Sequence, residues 1–150
     1  MNEFTQASYV IAFVSGIVAA TCYCGETSIA QRFWIGVFVF WRYWLVGGGI
    51  ATIANAWPTG ITSIQELLRL FFAPIGNVMW SLSSFAIYSI FSGVVSVVFS
   101  RFSLLTRCTQ SKSFNSTASA RGIIIAIAGL VTILVCWKIS MFYLPGQTWR

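Results

Sequence analysis

The sequence predicts an all-α integral membrane protein of about four transmembrane helices, on three observations. Hydrophobic residues make up 57% of the 150-residue chain and charged residues only 8%. Soluble domains carry roughly 25% charged residues, so this chain has too few charges to cover a globular surface. The apolar residues also fall into separate runs, each near the roughly 20 residues that a helix needs to cross a bilayer. Residues 1–150 are therefore expected to form a single transmembrane domain.

The expected helices follow from these apolar runs. The runs lie at approximately residues 8–24, 33–56, 75–99 and 122–143. Between the second and third runs, Ser63 and Glu66 have the spacing of a capping box, which favours the start of a helix. The apolar residues that follow are too few to span before Pro74, which predicts a short interfacial helix near residues 63–72. The alternative is that this segment is a bent extension of the third span.

The basic residues predict the orientation. The connection between the third and fourth runs contains no acid and four cations, namely Arg101, Arg107, Lys112 and Arg121. By the positive-inside rule this inner-face basic loop faces the cytoplasm or the mitochondrial matrix, and both termini lie on the outer side. The expected location is a bacterial or mitochondrial inner membrane. The cations are scattered between apolar runs, which argues against a nucleic-acid partner.

Several kinds of chemistry are excluded by composition. The chain has no histidine, which removes His-ligated haem, His-bearing metal sites and any His general base. The three acids, Glu3, Glu26 and Glu66, lie outside the apolar runs, so none is placed to relay protons inside the membrane. The sequence therefore predicts no enzymatic activity and no cofactor bound through histidine. A structural phospholipid is the small molecule that it is expected to bind.

The most unusual residue is Arg42, about nine residues into the second run and so near the expected centre of the bilayer. An arginine there costs roughly 2.5–3.5 kcal/mol, and its guanidinium cannot lose its charge. With the flanking Trp41 and Trp44, Arg42 is expected to contact a partner subunit or a lipid. The alternative is that it snorkels along a tilted helix to the interface. Lys138, near the end of the fourth run, is a weaker candidate of the same kind.

Small residues predict close packing of helices. They recur at intervals of four in several runs, as in the first run at Gly16, the third at Ser92 and Ser96, and the fourth at Gly122 and Ala126. These faces serve packing within the chain or the docking of partner helices. The triplet Gly47, Gly48 and Gly49 would permit a kink, a non-helical turn that lines a cavity, or very close packing.

These observations favour a non-catalytic accessory subunit of a larger membrane complex, which contributes helix packing and lipid binding. Its partners would be other transmembrane subunits and phospholipids. One alternative is a small oligomeric channel or carrier for an anion, with Arg42 and the glycine triplet at its constriction. Another is a membrane component of a secretion or conjugation machine whose basic loop contacts a cytoplasmic partner.

Overall fold

A computed structural model describes residues 3–23, 27–80, 82–102 and 114–140, which are almost entirely helical and contain no strand. The helices are α1 (Glu3–Val18, continued by a π-helical turn over Ala19–Tyr23), α2 (Ile29–Ala56), α3 (Ile64–Trp80), α4 (Leu82–Phe102) and α5 (Phe114–Ser140). Four stretches are long and apolar enough to cross a membrane, namely Thr5–Tyr23, Ile29–Ala56, Leu82–Phe102 and Ala120–Lys138. These helices confirm the predicted all-α, multi-pass membrane fold.

The longest helix, α2, contacts each of the other four helices. It begins earlier than predicted, at Ile29 and not near residue 33, because Ser28 caps it. The Ser28 amide donates to the Gln31 side chain at 3.0 Å, and the Gln31 amide donates to the Ser28 hydroxyl at 3.3 Å. This reciprocal capping box satisfies two amides that the first helical turn leaves unpaired. The earlier start places Arg42 at the middle of the 28-residue helix.

The direction of each helix relative to α2 follows from its contacts. Near the start of α2, Arg32 bonds to Ser100 at the end of α4, so the two helices are antiparallel. Tyr43 bonds to Ile125, and further along α2 Asn55 bonds to Trp137, so α2 and α5 are parallel. The second, third and fourth spans therefore alternate in direction, as a chain that crosses a membrane repeatedly requires.

The segment between the second and third spans differs from the prediction. The Glu66 amide donates to the Ser63 hydroxyl at 3.2 Å, as the capping pattern indicated. However, α3 does not end before Pro74 but continues to Trp80, and the third span begins at Leu82, not at residue 75. Proline favours a helix stop because it lacks an amide and crowds the preceding turn. Packing of α3 on α2 offsets that local preference.

The helix that contains the fourth span begins at Phe114, whereas the candidate span itself begins at Ala120, close to the predicted residue 122. Arg121 therefore lies inside α5, and Arg101 lies in the last turn of α4. The predicted basic loop is correspondingly shorter. Arg107 and Lys112 lie outside the described residues.

Three helices meet closely around Ser92. A Cβ atom placed on Gly16 of α1 or on Gly36 of α2 would lie 2.8 Å from the Ser92 carbonyl oxygen, closer than any side chain tolerates. The Ser92 hydroxyl donates to the Gly36 carbonyl at 3.0 Å, and the Ser96 hydroxyl donates to the Arg32 carbonyl at 2.9 Å. Small residues and interhelical hydrogen bonds are the contacts that hold helices together where lipid supplies no hydrophobic drive.

Candidate functional site: the Arg42 groove

Arg42 is exposed on the surface of the bundle, whereas its two aromatic neighbours are directed elsewhere. Trp44 is only 3% exposed, and its ring lies 4.8 Å from that of Phe85 on α4. The half-buried Trp41 ring lies 5.9 Å from the same Phe85 ring. Successive residues of a helix do not share a face, so Arg42 and its neighbours are separated. The Trp44 ring therefore lies in the core of the bundle, and its contact with a partner or lipid stays a prediction.

A cavity of about 180 Å³ lies beside Arg42, between α2 and α5. We call it the Arg42 groove, and its lining residues are Tyr23, Val39, Arg42, Tyr43, Val46, Gly47, Ile125, Gly129 and Ile133. The lining is apolar except for one guanidinium and two phenol groups. No carboxylate belongs to this lining.

The groove is held open by specific contacts between α2 and α5. The Tyr43 hydroxyl donates to the Ile125 carbonyl at 3.2 Å. Gly47 lies directly against Thr132, whose methyl carbon would be 2.7 Å from a Cβ atom on the glycine. At Gly129 the nearest side-chain atom, in Tyr43, would be 3.8 Å from such a Cβ atom, so the helices separate there. The result is a recess next to the guanidinium.

On both helices the recess lies away from the ends of the apolar segment. Arg42 lies at the midpoint of α2, with almost equal lengths of helix before and after it. On α5, Gly129 lies midway between Arg121 and Lys138, the two cations that bracket the apolar part of that helix. On these two helices, more than one full turn separates the lining residues from either end of the apolar segment. The lining residue Tyr23, in contrast, is the last residue of the first candidate span.

The two arginines of α2 have different surroundings. The Arg32 Nε atom donates to the Thr27 carbonyl at 3.0 Å, and its Nη1 atom donates to the Ser100 hydroxyl at 3.2 Å. In contrast, no hydrogen bond or ion pair joins the Arg42 guanidinium to any residue in the described ranges. The four candidate spans contain no Asp or Glu. Arg42 thus carries its charge without a counter-charge from any of these spans.

The glycine triplet does not break α2, which continues without interruption to Ala56. Gly47 faces α5, whereas Gly49 faces α3, where a Cβ atom would lie 2.8 Å from the Phe71 carbonyl oxygen. The Gly48 carbonyl accepts a hydrogen bond from Thr52 at 2.7 Å. Of the three roles considered for the triplet, close packing describes it, and a non-helical turn lining a cavity is ruled out.

The remaining candidate residues are spread over the outer surface. Gly122 and Ala126 are exposed on α5, and nothing lies within 4 Å of a Cβ atom on Gly122, so this pair does not pack within the described chain. Lys138 is exposed in the last turn of α5, and Arg101 is exposed in the last turn of α4. Cations at helix C-termini are favoured by the helix dipole.

Of the residues that line the groove, only Arg42 and Gly47 were singled out from the sequence, and the missed residues include Tyr43 and Gly129. Gly129 lies between Ile125 and Ile133 at the same interval of four that marks the other small residues. Tyr43 carries no signal of its own, because a tyrosine among tryptophans is typical of any aromatic stretch of a membrane helix. Among the residues that the structure describes, no cluster of His, Cys, Asp or Glu could hold a metal ion.

No protein-family model, curated protein or solved structure matches the chain. The fold and the groove define a multi-pass membrane protein that presents an arginine at the middle of its longest candidate span.

Proposed function

We propose that the chain is a non-catalytic accessory subunit of a larger membrane complex, and that Arg42 joins it to that complex. The observation that carries the proposal is the exposed guanidinium at the middle of α2, with no counter-charge in the candidate spans. Such a charge costs roughly 2.5–3.5 kcal/mol within the membrane. An acidic group supplied by another molecule would offset this cost through a charge-assisted hydrogen bond.

The lining of the groove supports a binding role. One guanidinium and two phenol groups among apolar side chains suit the recognition of an anionic group. Close intramolecular packing around Ser92 fixes α2, the helix that carries Arg42, against α1 and α4. An accessory subunit that fixes the positions of neighbouring subunits needs both a binding surface and a closely packed helix to carry it.

We further propose a bacterial or mitochondrial inner membrane as the location, and the arrangement of cations bears on the orientation of the chain there. Arg32, Arg101 and Arg121 lie at one end of the bundle, where α2 and α5 begin and α4 ends. Arg69 and Lys138 lie toward the other end. The positive-inside rule then directs the first end to the cytoplasm or matrix, and places both termini outside.

The proposal is tested by purifying the tagged full-length chain from its native membranes in mild detergent. Native mass spectrometry is expected to show a hetero-oligomer of fixed stoichiometry. Arg42→Gln should reduce the recovered partner at least roughly tenfold, the scale expected when one member of a desolvated charge pair is lost. The matched control is Arg101→Gln, which neutralises an exposed arginine at a helix end and should leave recovery unchanged. A monodisperse monomer or homo-oligomer with no second protein would contradict the proposal.

A further inference from the structure

We infer that the Arg42 groove receives one transmembrane helix of a different protein, and that this helix carries an aspartate or glutamate at mid-membrane depth. The inference rests on the proposed function and names the partner's chemistry. It follows from the depth of the charge, the composition of this chain and the shape of the surface around the groove.

The depth of Arg42 favours a carboxylate on a spanning helix over a lipid phosphate. Lipid phosphates lie at the headgroups, about 15 Å from the centre of a hydrocarbon layer roughly 30 Å thick. Arg42 is at the middle of α2, and Gly129, which lines the same groove, is near the middle of the apolar part of α5. An acidic side chain on a neighbouring helix reaches this level without moving a headgroup into hydrocarbon. It also offers two oxygens to the planar guanidinium.

The composition of the chain favours a different protein over a second copy. The four candidate spans contain no acid, so another copy would bring no carboxylate to this depth. A symmetric dimer built on this surface would instead bring a second Arg42 to the first, because both copies use the same patch. The like charges would repel each other in a medium of low dielectric constant.

The surface of α2 around Arg42 is suited to a helix. Its exposed residues recur every four positions, which traces one ridge inclined to the helix axis: Trp34, Phe38, Arg42, Val46 and Ile50. Arg42 is the central member of this ridge and its only charged one. A partner helix packed against the ridge at Arg42 would meet the apolar Phe38 and Val46 on either side of a single charge, which fixes the register of docking.

The facing surface of α5 permits close approach. Gly129 forms part of the groove floor, and Gly122 and Ala126 are small and exposed on the same helix. Small residues let helix backbones come near each other in lipid. The large exposed residues Leu130 and Leu134 lie on the same helix and offer further apolar contact area. The charge of Arg42 and the shape of the surface around it therefore both favour a transmembrane helix as the occupant of the groove.

The contact is tested by placing a photo-crosslinking amino acid at Val46, beside Arg42, in the full-length chain in native membranes. Val94 on α4 serves as the control, because its exposed fraction of 48% is close to the 47% of Val46. The expected crosslink from Val46 is to a transmembrane segment of another protein that contains Asp or Glu. The same segment should be crosslinked from Val94 at least about tenfold less.

Two variants test the charge of Arg42 and the shape of the groove separately. Arg42→Glu should abolish recovery of the partner, and exchanging the partner's acid for arginine should restore most of it. Gly129→Leu keeps the charge but fills the groove, and we expect at least a tenfold loss of partner, on the scale of a lost interface contact. The control Ala86→Leu introduces the same side chain at an exposed position on α4 and should have no effect.

The outcomes distinguish this inference from the proposed function. If a hetero-oligomer forms but Val46 crosslinks only to lipid, to another copy or to a segment without an acid, the docking inference fails and the accessory role stands. The docking inference also fails if exchanging the partner's acid for arginine does not restore recovery with Arg42→Glu. If no second protein is recovered with the wild-type chain, the accessory role itself fails.

Discussion

The Ser92 hydroxyl on α4 donates a hydrogen bond to the Gly36 carbonyl on α2, with 3.0 Å between the two oxygen atoms. This contact requires that position 36 has no side chain, since a Cβ atom there would lie 2.7 Å from the Ser96 Cβ atom. From α1, Gly16 approaches the carbonyl oxygen of the same Ser92. The three helices are therefore fixed at one level, and the surface that carries Arg42 is built on this support.

Substitution of Gly36 should lower the stability of the protein. In Gly36→Ala the new methyl group meets the Ser92 carbonyl oxygen, a backbone atom that cannot turn aside, so we expect a loss of about 1–3 kcal/mol in stability. Unfolding in detergent, followed by tryptophan fluorescence, measures this. Gly122→Ala is the control, because nothing lies within 4 Å of the added carbon and α5 gains a better helix former. Equal losses in the two variants would contradict the packing described at Ser92.

The serine hydroxyls between α4 and α2 should contribute modestly. Ser92→Ala and Ser96→Ala each remove one bond to an α2 carbonyl, and interhelical bonds in membranes average about 0.6 kcal/mol with a maximum near 1.7. The double variant is expected to lose about the sum of the two. Ser89→Ala is the control, since the Ser89 hydroxyl bonds within its own helix to Phe85. The same unfolding assay applies, and a larger loss for Ser89→Ala would be inconsistent with an interhelical role.

The number and type of helices could be predicted because they depend on length and hydropathy alone. The helix ends could not, because they depend on hydrogen bonds that hydropathy does not register. Ser28 starts α2 before the apolar residues begin, through a bond to the polar Gln31. Pro74 marks no boundary, because α3 packs against α2 and continues past it. In both places, tertiary or capping contacts outweighed the local signal.

In the candidate site, too, some features could be predicted from the sequence and others could not. Arg42 could be singled out because the cost of a charge in hydrocarbon depends only on where it lies along the span. The direction of Trp44 could not be predicted, since it is set by Phe85 on another helix. Tyr43 and Ile125 are 82 residues apart in the chain, and nothing local to either indicates that they meet.

Gly49 is expected to allow α3 to pack closely against α2. A Cβ atom there would lie 2.7 Å from the Phe71 ring and 2.8 Å from the Phe71 carbonyl oxygen, so Gly49→Ala should push α3 away from α2. Trypsin should then cleave faster after the exposed Arg69 in α3, because cleavage requires local opening of the helix. Gly129→Ala is the matched control, since its nearest neighbour would be at 3.8 Å. Unchanged cleavage in Gly49→Ala would show that α3 is not held by this contact.

Arg42→Leu should have opposite effects on the isolated chain and on the native assembly. Membrane insertion of α2 alone should improve by about 3–4 kcal/mol, the difference between arginine and leucine at a helix centre on insertion scales. The purified chain should not unfold more easily, because Arg42 makes no bond to a described residue, whereas the partner should be lost from the complex. Arg32→Leu is the control, since it removes the bonds to Thr27 and Ser100 and should destabilise the isolated chain. If both variants destabilise the isolated chain equally, Arg42 is satisfied within its own bundle and needs no external acid.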